Sequence, residues 1–214
     1  MIANNTFLVA DDHSVIRQGI VFLLKDKYPS STVLQAATFK EVLKLVKGNK
    51  INLLFLDINF PDGVSLTVIP TIRKFQPNIK ILMFSAYDED IYAIRYLNAG
   101  ANGYLNKLST EEEFTNAVNS VLVHGKYMSE NIQNKITDAY IFKKPTNPLE
   151  QLSNREIEIA KLLIDGVANN SIAELLNLKK TTVSTYKNRV FEKLGIDNVP
   201  ALINLFSLYY FKDV

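Results

Sequence analysis

The chain has 214 residues, 47% of them apolar, with no cysteine and a net charge of +2. That length is comfortable for two domains with ordinary cores, and it excludes a disulfide framework or thiolate chemistry. No apolar run is long enough to span a bilayer, so the expectation is a cytoplasmic chain without membrane contact.

The start, Met1-Ile2-Ala3-Asn4-Asn5-Thr6, lacks the basic-then-apolar pattern of a signal peptide. Thr6-Phe7-Leu8-Val9-Ala10 reads as a strand ending in Asp11-Asp12. Val15, Ile16, Ile20, Leu23 and Leu24 then fall close to helical spacing. Thr32–Ala36 is a second strand, and Phe39–Val46 a helix stopped near Gly48. The apolar run Ile51–Leu56 predicts a buried strand, followed at once by Asp57 and a turn at Pro61-Asp62-Gly63. A helix over Ser65–Phe75, a strand over Lys80–Phe84 and a helix over Glu89–Asn98 follow. Gly103-Tyr104-Leu105 is a short fifth strand, and Thr110–Val123 a fifth helix stopped by Gly125. Five βα units in a row imply a doubly wound, five-stranded parallel sheet with helices on both faces. Sites in such sheets lie outside the carboxyl ends of the strands.

Asp11 and Asp12 end the first strand, Asp57 the third and Ser85 the fourth, while Lys107 follows the fifth. A single aspartate after a strand is usually a turn residue or cap. The joint pattern is more specific, because every one of these residues falls at a strand end. Clustered carboxylates repel one another and favour a hard cation such as Mg²⁺. A carboxylate is also a nucleophile toward phosphorus, and metal, ammonium and hydroxyl would offset charge on phosphoryl oxygens.

The segments "LVADDHSVIRQGI", "FLDINFPDG", "MFSAYDED" and "AGANGYLNK" resemble the receiver domains of two-component response regulators across about residues 5–125. The resemblance implies that Asp57 accepts a phosphoryl group from a histidine kinase. Asp11 and Asp12 would form the acidic metal pair, joined by Asp57 and the Asn59 carbonyl. Ser85 matches the switch hydroxyl, Tyr104 the switch aromatic and Lys107 the family lysine. Ser65 stands where relatives often have glycine, and Leu108 where a polar or small residue is commoner. Asn59 occupies a position that tunes phosphoryl lifetime in the family.

Residues 126–147 break the pattern and are assigned to a helical extension and linker, with Lys143-Lys144-Pro145-Thr146-Asn147-Pro148 carrying no periodicity. Thereafter every element reads helical, over 154–164, 170–176, 181–194 and 199–211, starting at a capping box, Ser153-Asn154-Arg155-Glu156. In 181–194, Val183, Tyr186, Val190 and Leu194 share a face, with Thr185, Asn188 and Glu192 opposite. The short helix and tight connection before it make helix-turn-helix grammar, although periodicity alone favours a small helical bundle. Five cations against one acid in 179–193 fit either a solvated face or a phosphate-binding one.

The stretch from Leu152 to Ile196 resembles the LuxR-type DNA-binding domain, and with the receiver it resembles a NarL/FixJ-type response regulator over nearly the whole chain. By that match 181–194 is the recognition helix, with Ser184, Thr185 and Asn188 facing base edges of double-stranded DNA. Lys179, Lys180, Thr181, Thr182, Lys187, Arg189 and Lys193 are candidates for phosphate contacts. Tyr186 replaces the usual His, Ala168, Asn170 and Ser171 surround Asn169 in place of a more usual Ser, Lys and Glu, and Val199 and Ala201 replace a common Arg and Glu. The expected division is 1–125 receiver, 126–147 extension and linker, and 148–214 DNA-binding domain. The expected function is a phosphorylation-controlled transcription regulator, not an enzyme beyond its own phosphoryl chemistry. The apolar helix 199–211 fits a fully buried terminal helix; the resemblance implies instead that it pairs two DNA-binding domains in a homodimer, with phosphorylation shifting a monomer–dimer equilibrium. Two alternatives stand beside this: a regulator that binds DNA without phosphorylation, and an aspartyl-nucleophile phosphohydrolase. The second would normally carry another acid two residues after the nucleophile, where this chain has Asn59.

Overall fold

The computed structural model describes residues 5–141 and 147–209. Residues 142–146 of the expected extension and linker, and Tyr210 and Phe211 of the helix expected over 199–211, lie outside the described residues. The chain divides into two compact units, Met1–Lys135 and Ile136–Val214.

The first unit is built on a parallel sheet of β1 (Thr6–Ala10), β2 (Thr32–Ala36), β3 (Leu53–Leu56), β6 (Lys80–Ser85) and β7 (Gly103–Asn106), in the order β2-β1-β3-β6-β7. Between β3 and β6 a small hairpin pairs β4 (Asn59–Phe60) with β5 (Gly63–Val64). Helices α1 (Ser14–Lys27), α2 (Phe39–Gly48), α3 (Ser65–Phe75), α4 (Glu89–Asn98) and α5 (Glu111–His124) connect the strands. The expected five βα units are therefore present.

Strand alternation sends Phe7, Val9, Leu53, Phe55, Leu82, Phe84 and Leu105 into one core layer with Ile20 and Leu24 of α1 and Phe114, Val118 and Val121 of α5. Phe114 stacks on Phe55 at 5.5 Å and meets Phe84 edge-on at 6.0 Å. Leu8, Leu54, Leu56, Ile81 and Met83 alternate to the opposite face and are fully buried too. The strands carry unbroken apolar runs because both faces are covered. Val15, which matched the helical spacing, instead lies 80% exposed on the outer side of α1.

The ladder continues one residue past the strands. Asp11 N donates to Ala36 O at 3.2 Å, Asp57 N to Ala10 O at 3.0 Å and Lys107 N to Ser85 O at 2.9 Å. Backbone hydrogen bonds thus fix the three site residues in register with the sheet. At the start of β3 the expected strand loses Ile51 and Asn52. The Ile51 amide goes to the Gln76 side chain at 3.0 Å, and Asn52 Oδ1 accepts from Thr6 N at 2.7 Å.

Beyond α5 the chain returns along the sheet edge. Tyr127 N donates to Asn102 O at 2.9 Å, and Tyr127 bridges Gly103. Asn102 bonds Ile81 N at 2.9 Å, Arg73 Nη2 at 2.7 Å and Gly125 O at 2.7 Å, closing a polar knot under the edge. Helix α6 (Glu130–Ile141) follows, so the expected extension is helical from Glu130 to Ile141 but not over 126–129, with Ile132 buried.

The second unit holds a 3-10 turn (Pro148–Gln151) and helices α7 (Asn154–Ile164), α8 (Asn169–Leu175), α9 (Lys180–Leu194) and α10 (Val199–Tyr209). Its core joins Ile159, Ala160 and Leu163 of α7, Ile172 of α8, Val183 and Val190 of α9, and Leu202 and Phe206 of α10. The Ser153–Glu156 capping box forms as the spacing predicts. Asn177 turns the chain between α8 and α9 at φ +52°, a conformation asparagine tolerates better than most residues. Glu156 is only 3% exposed, and its Oε2 takes Lys193 Nζ at 2.7 Å and Ser153 N at 2.7 Å.

Two predictions follow from this packing. A Cβ on Gly103 would lie 2.8 Å from Tyr127 O and 3.0 Å from Leu82 Cδ1. Gly103→Ala should therefore destabilise the first unit by about 1–3 kcal/mol, read from the shift of its urea midpoint. For Glu156, burial would raise the carboxyl pKa, but Lys193 and the Ser153 amide and hydroxyl outweigh it, and the carboxyl lies below its usual range. A carboxyl depressed on folding stabilises above its unfolded pKa and loses that contribution as pH falls through the folded value. Lys193→Ala should raise opening of the α7 and α9 core amides at neutral pH by about tenfold, and the difference from wild type should shrink in acid.

Candidate functional site

Asp11 and Asp57 are 2% and 6% exposed at the carboxyl ends of neighbouring strands β1 and β3. Lys107, one residue past β7, reaches back over this end of the sheet. Its Nζ lies 2.7 Å from Asp11 Oδ2 and 2.8 Å from Asp57 Oδ2. Burial would lower the Lys107 pKa, but hydrogen bonds to Asp11 and Asp57 hold it above its usual value. The ammonium is charged, and it keeps two buried carboxylates side by side. Asp57 Oδ1 takes the Ile58 amide at 2.8 Å, and Asp11 Oδ1 takes the His13 amide at 2.8 Å.

Ligand atoms of Asp11, Asp12, His13 and Asp57 lie within 4.8 Å of one another. Three of the four groups are carboxylates, the donor chemistry that suits Mg²⁺. His13 was not singled out from the sequence; its ring Nδ1 lies 2.7 Å from Asp12 Oδ1 and 3.2 Å from Asp11 Oδ1. The signal was its place directly after the acidic pair, which alone reads as a surface loop histidine. Arg17 reaches from α1 to bond Asp11 O at 2.7 Å and Asp12 O at 3.1 Å, fixing the loop from behind.

Ser85 and Tyr104 are buried beside this pocket, 1% and 2% exposed. Ser85 Oγ accepts the Tyr87 amide at 3.4 Å, and the Tyr104 hydroxyl donates to Tyr87 O at 2.9 Å. Burial pushes the Tyr104 phenol well above its usual pKa, so it remains a neutral donor. Asn59 is exposed, and its side-chain amide donates to the Tyr87 hydroxyl at 2.7 Å. Ser65, the departure from glycine, is buried and donates to the Tyr96 hydroxyl at 3.3 Å. Leu108 stands 87% exposed next to Lys107.

On α9 the buried residues are Val183 and Val190, with Tyr186 and Leu194 partly buried against the same core. Thr185, Asn188 and Arg189 are exposed together with Lys179, Lys180 and Thr181, while Thr182, Ser184 and Lys187 are half-buried. The Ser184 and Thr185 hydroxyls donate back to Lys180 O at 3.2 Å and Thr181 O at 2.9 Å, leaving their oxygens able to accept. Lys187 Nζ lies 5.4 Å over the Phe191 ring. Lys193, expected on the DNA-facing side, is engaged inside the unit by Glu156 and by Gln151 O at 3.2 Å. The Asp57 pocket and the α9 face belong to different compact units, and each carries its own chemistry.

Residues 7–119 match the family model of the response regulator receiver domain, and residues 150–206 that of bacterial regulatory proteins of the luxR family. The chain is 30% identical over 204 residues to the Fimbriae Z protein of Escherichia coli K12, covering 94% of this chain and 96% of that protein. It is 33% identical over 190 residues to the response regulator GacA of Pseudomonas aeruginosa, covering 88% and 89% of the two chains. A solved structure of RcsB from Salmonella enterica serovar Typhimurium, bound to a promoter with the phosphomimetic BeF3-, superposes with a TM-score of 0.76. That match covers 95% of this chain and 98% of that one at 22% identity, and it carries the fold alone. The chain belongs to the response regulators of the NarL/FixJ type, in which a receiver domain is joined to a luxR-family DNA-binding domain.

Proposed function

We propose that Asp57 accepts a phosphoryl group from a sensor histidine kinase and that this controls sequence-specific binding of a homodimer to double-stranded DNA. The observation that carries the reading is the Lys107 ammonium bridging the buried Asp11 and Asp57 in a cation-fitting cluster that the exposed Asp12 and His13 complete. In the transfer, an Asp57 oxygen forms a bond to phosphorus as the bond between phosphorus and the donor nitrogen breaks. The leaving nitrogen keeps the electron pair. Asp11, Asp12, Asp57 and the Asn59 carbonyl would hold Mg²⁺, which when bound offsets charge on the phosphoryl oxygens. Lys107 supplies a second positive charge, and Ser85 turns its hydroxyl toward a phosphoryl oxygen. Tyr104 then acts as the switch aromatic through the Tyr87 carbonyl.

For the second unit, Ser184, Thr185 and Asn188 read base edges from α9. Lys179, Lys180, Thr181, Thr182, Lys187 and Arg189 position the helix on phosphates. Lys193 acts indirectly, by holding Glu156 under the capping box. The functional division runs 1–125, 126–147 and 148–214, supported by the two family matches. On α10, Leu202 and Phe206 are fully buried in the core, whereas Ile203 is 41% exposed, so part of the helix circumference is available to a second copy. A protein that works on DNA in this way resides in the cytoplasm. A hydrolase reading is disfavoured by Asn59, which offers no second acid.

With Mg²⁺ and a small phosphodonor, the full chain should gain one acid-labile phosphoryl group by mass. Asp57→Asn should abolish the gain and Asp11→Asn should slow it at least tenfold; equal labelling of Asp57→Asn would overturn the assignment. On DNA, Lys187→Ala or Arg189→Ala should weaken binding to all sequences and flatten the salt slope by about one unit each. Asn188→Ala should instead alter preference at one base position, costing about 1–3 kcal/mol on the best site. Selection of bound sequences from a random pool checks the difference between the two classes of contact.

A further inference from the structure

Helix α6 begins on the flank of α4. Its cap, Ser129, accepts the Ile132 amide at 3.2 Å and donates its hydroxyl to Glu89 Oε1 at 2.9 Å. One side chain thus starts α6 and ties it to α4. Asn131 Nδ2 donates to Asp90 Oδ1 and lies 3.4 Å from Glu89 Oε1. One turn further, Lys135 Nζ lies 2.8 Å from Asp90 Oδ1. Acids in a helix's first turn are ordinarily explained by the helix dipole. That explains Glu89 and Asp90 on α4 but not why three donors from the start of α6 converge on them. The Asp90 carboxyl is held below its usual range by Lys135, against the effect of desolvation and with help from Asn131.

The turn before α4 is tied to the Asp57 pocket. The Tyr87 carbonyl accepts from Tyr104 at 2.9 Å and from Asn106 Nδ2 at 3.2 Å, while its amide goes to Ser85 Oγ. Its hydroxyl takes Asn59 Nδ2 at 2.7 Å. Asp88 then caps α4, and Glu89 and Asp90 come next. A bonded series therefore leads from the residues around Asp57, through Tyr87 and the first turn of α4, to the start of α6. The first compact unit ends at Lys135, inside α6, which continues to Ile141.

We propose that Glu89 and Asp90 with Ser129, Asn131 and Lys135 form a latch that phosphorylation opens, passing the state of the Asp57 pocket to the helix that leads out of the receiver. The proposal rests on Asp57 being the phosphoacceptor. When Ser85 Oγ turns to a phosphoryl oxygen, the Tyr87 amide loses its acceptor and the first turn of α4 moves. The latch is weak enough to respond. Asp90 and Lys135 are 43% and 41% exposed, so their pair is screened by salt and contributes little by itself. Weak contacts of this kind let a small bias at one site shift a population at another.

The test is amide exchange of residues 130–135 in the full chain, with and without a small phosphodonor and Mg²⁺, the phosphoryl gain being checked by mass in each sample. In wild type, phosphorylation should speed exchange of the Ile132 and Gln133 amides by about fivefold. Asp90→Ala should show the faster exchange from the outset, take up phosphoryl normally and show no further change. The exchanged pair Asp90→Lys with Lys135→Asp should restore part of the slow exchange and part of the response. An undiminished response in Asp90→Ala overturns the latch. So does a phosphorylated wild type with unchanged α6 exchange, and in that case the phosphoacceptor reading stands. Absence of any mass gain in wild type overturns that reading and the latch together.

Discussion

One ammonium holds the receiver site together. Asp11 and Asp57 are nearly inaccessible to water, and two unpaired carboxylates side by side in that position would be strongly disfavoured. Lys107 resolves this by lying within 2.8 Å of both. The lysine is a single residue past β7, so its reach depends on the strand ends being in register. Ladder bonds that run one residue beyond the strands, at Asp11, Asp57 and Lys107, supply that register. The apolar layers beneath, with Phe55 stacked on Phe114, make the register stiff. With Asp12 beside the pair, three carboxyl groups meet one ammonium, and their oxygens are the donors a hard divalent cation takes.

The neighbouring tyrosines divide the work by burial. Tyr104 lies within the fold, and its hydroxyl stays protonated because burial opposes the phenolate. Tyr87 is 42% exposed, yet its backbone and hydroxyl contact Ser85, Tyr104, Asn106 and Asn59. A change in any of these partners acts on one short segment, and α4 begins immediately after it. The geometry therefore concentrates response at a loop instead of spreading it through the core, where close packing leaves little room to move.

Much of this was legible in the sequence, for identifiable reasons. Parallel strands buried on both faces leave continuous apolar runs, so β1, β3 and β6 stood out, and with them the acids that follow β1 and β3 and the serine that ends β6. The α9 face was legible because Val183, Tyr186, Val190 and Leu194 repeat at helical spacing. Local periodicity could not show which polar residues meet across the fold. Nothing in the local pattern marks His13, whose place in the pocket depends on the return of Lys107 and the placing of Asp57. Lys193 looked like another cation of a basic helix, because its partner Glu156 lies 37 residues away in sequence and is buried by tertiary packing. Val15 matched the helical repeat of α1 but lies on the outer side, since only Ile20 and Leu24 of that helix are fully in the core.

The two units spend charge in opposite ways. In the receiver, Lys107, Asp11 and Asp57 are few, largely buried and held at fixed distances, so the addition of one phosphoryl group would be a large local perturbation. Lys179 at the start of α9 and Lys180 and Arg189 on it are exposed to solvent, where single charges are weak and screened. On the proposed reading they would gain strength collectively, along a phosphate backbone. The link between such dissimilar sites need not carry much energy. If DNA is engaged by a minor population, a shift of about 1.4 kcal/mol changes that population tenfold. On the proposed latch, the surface contacts joining α4 to α6 would need to supply no more than such a shift. A buried connection would be stronger, but it would also resist the change it has to transmit.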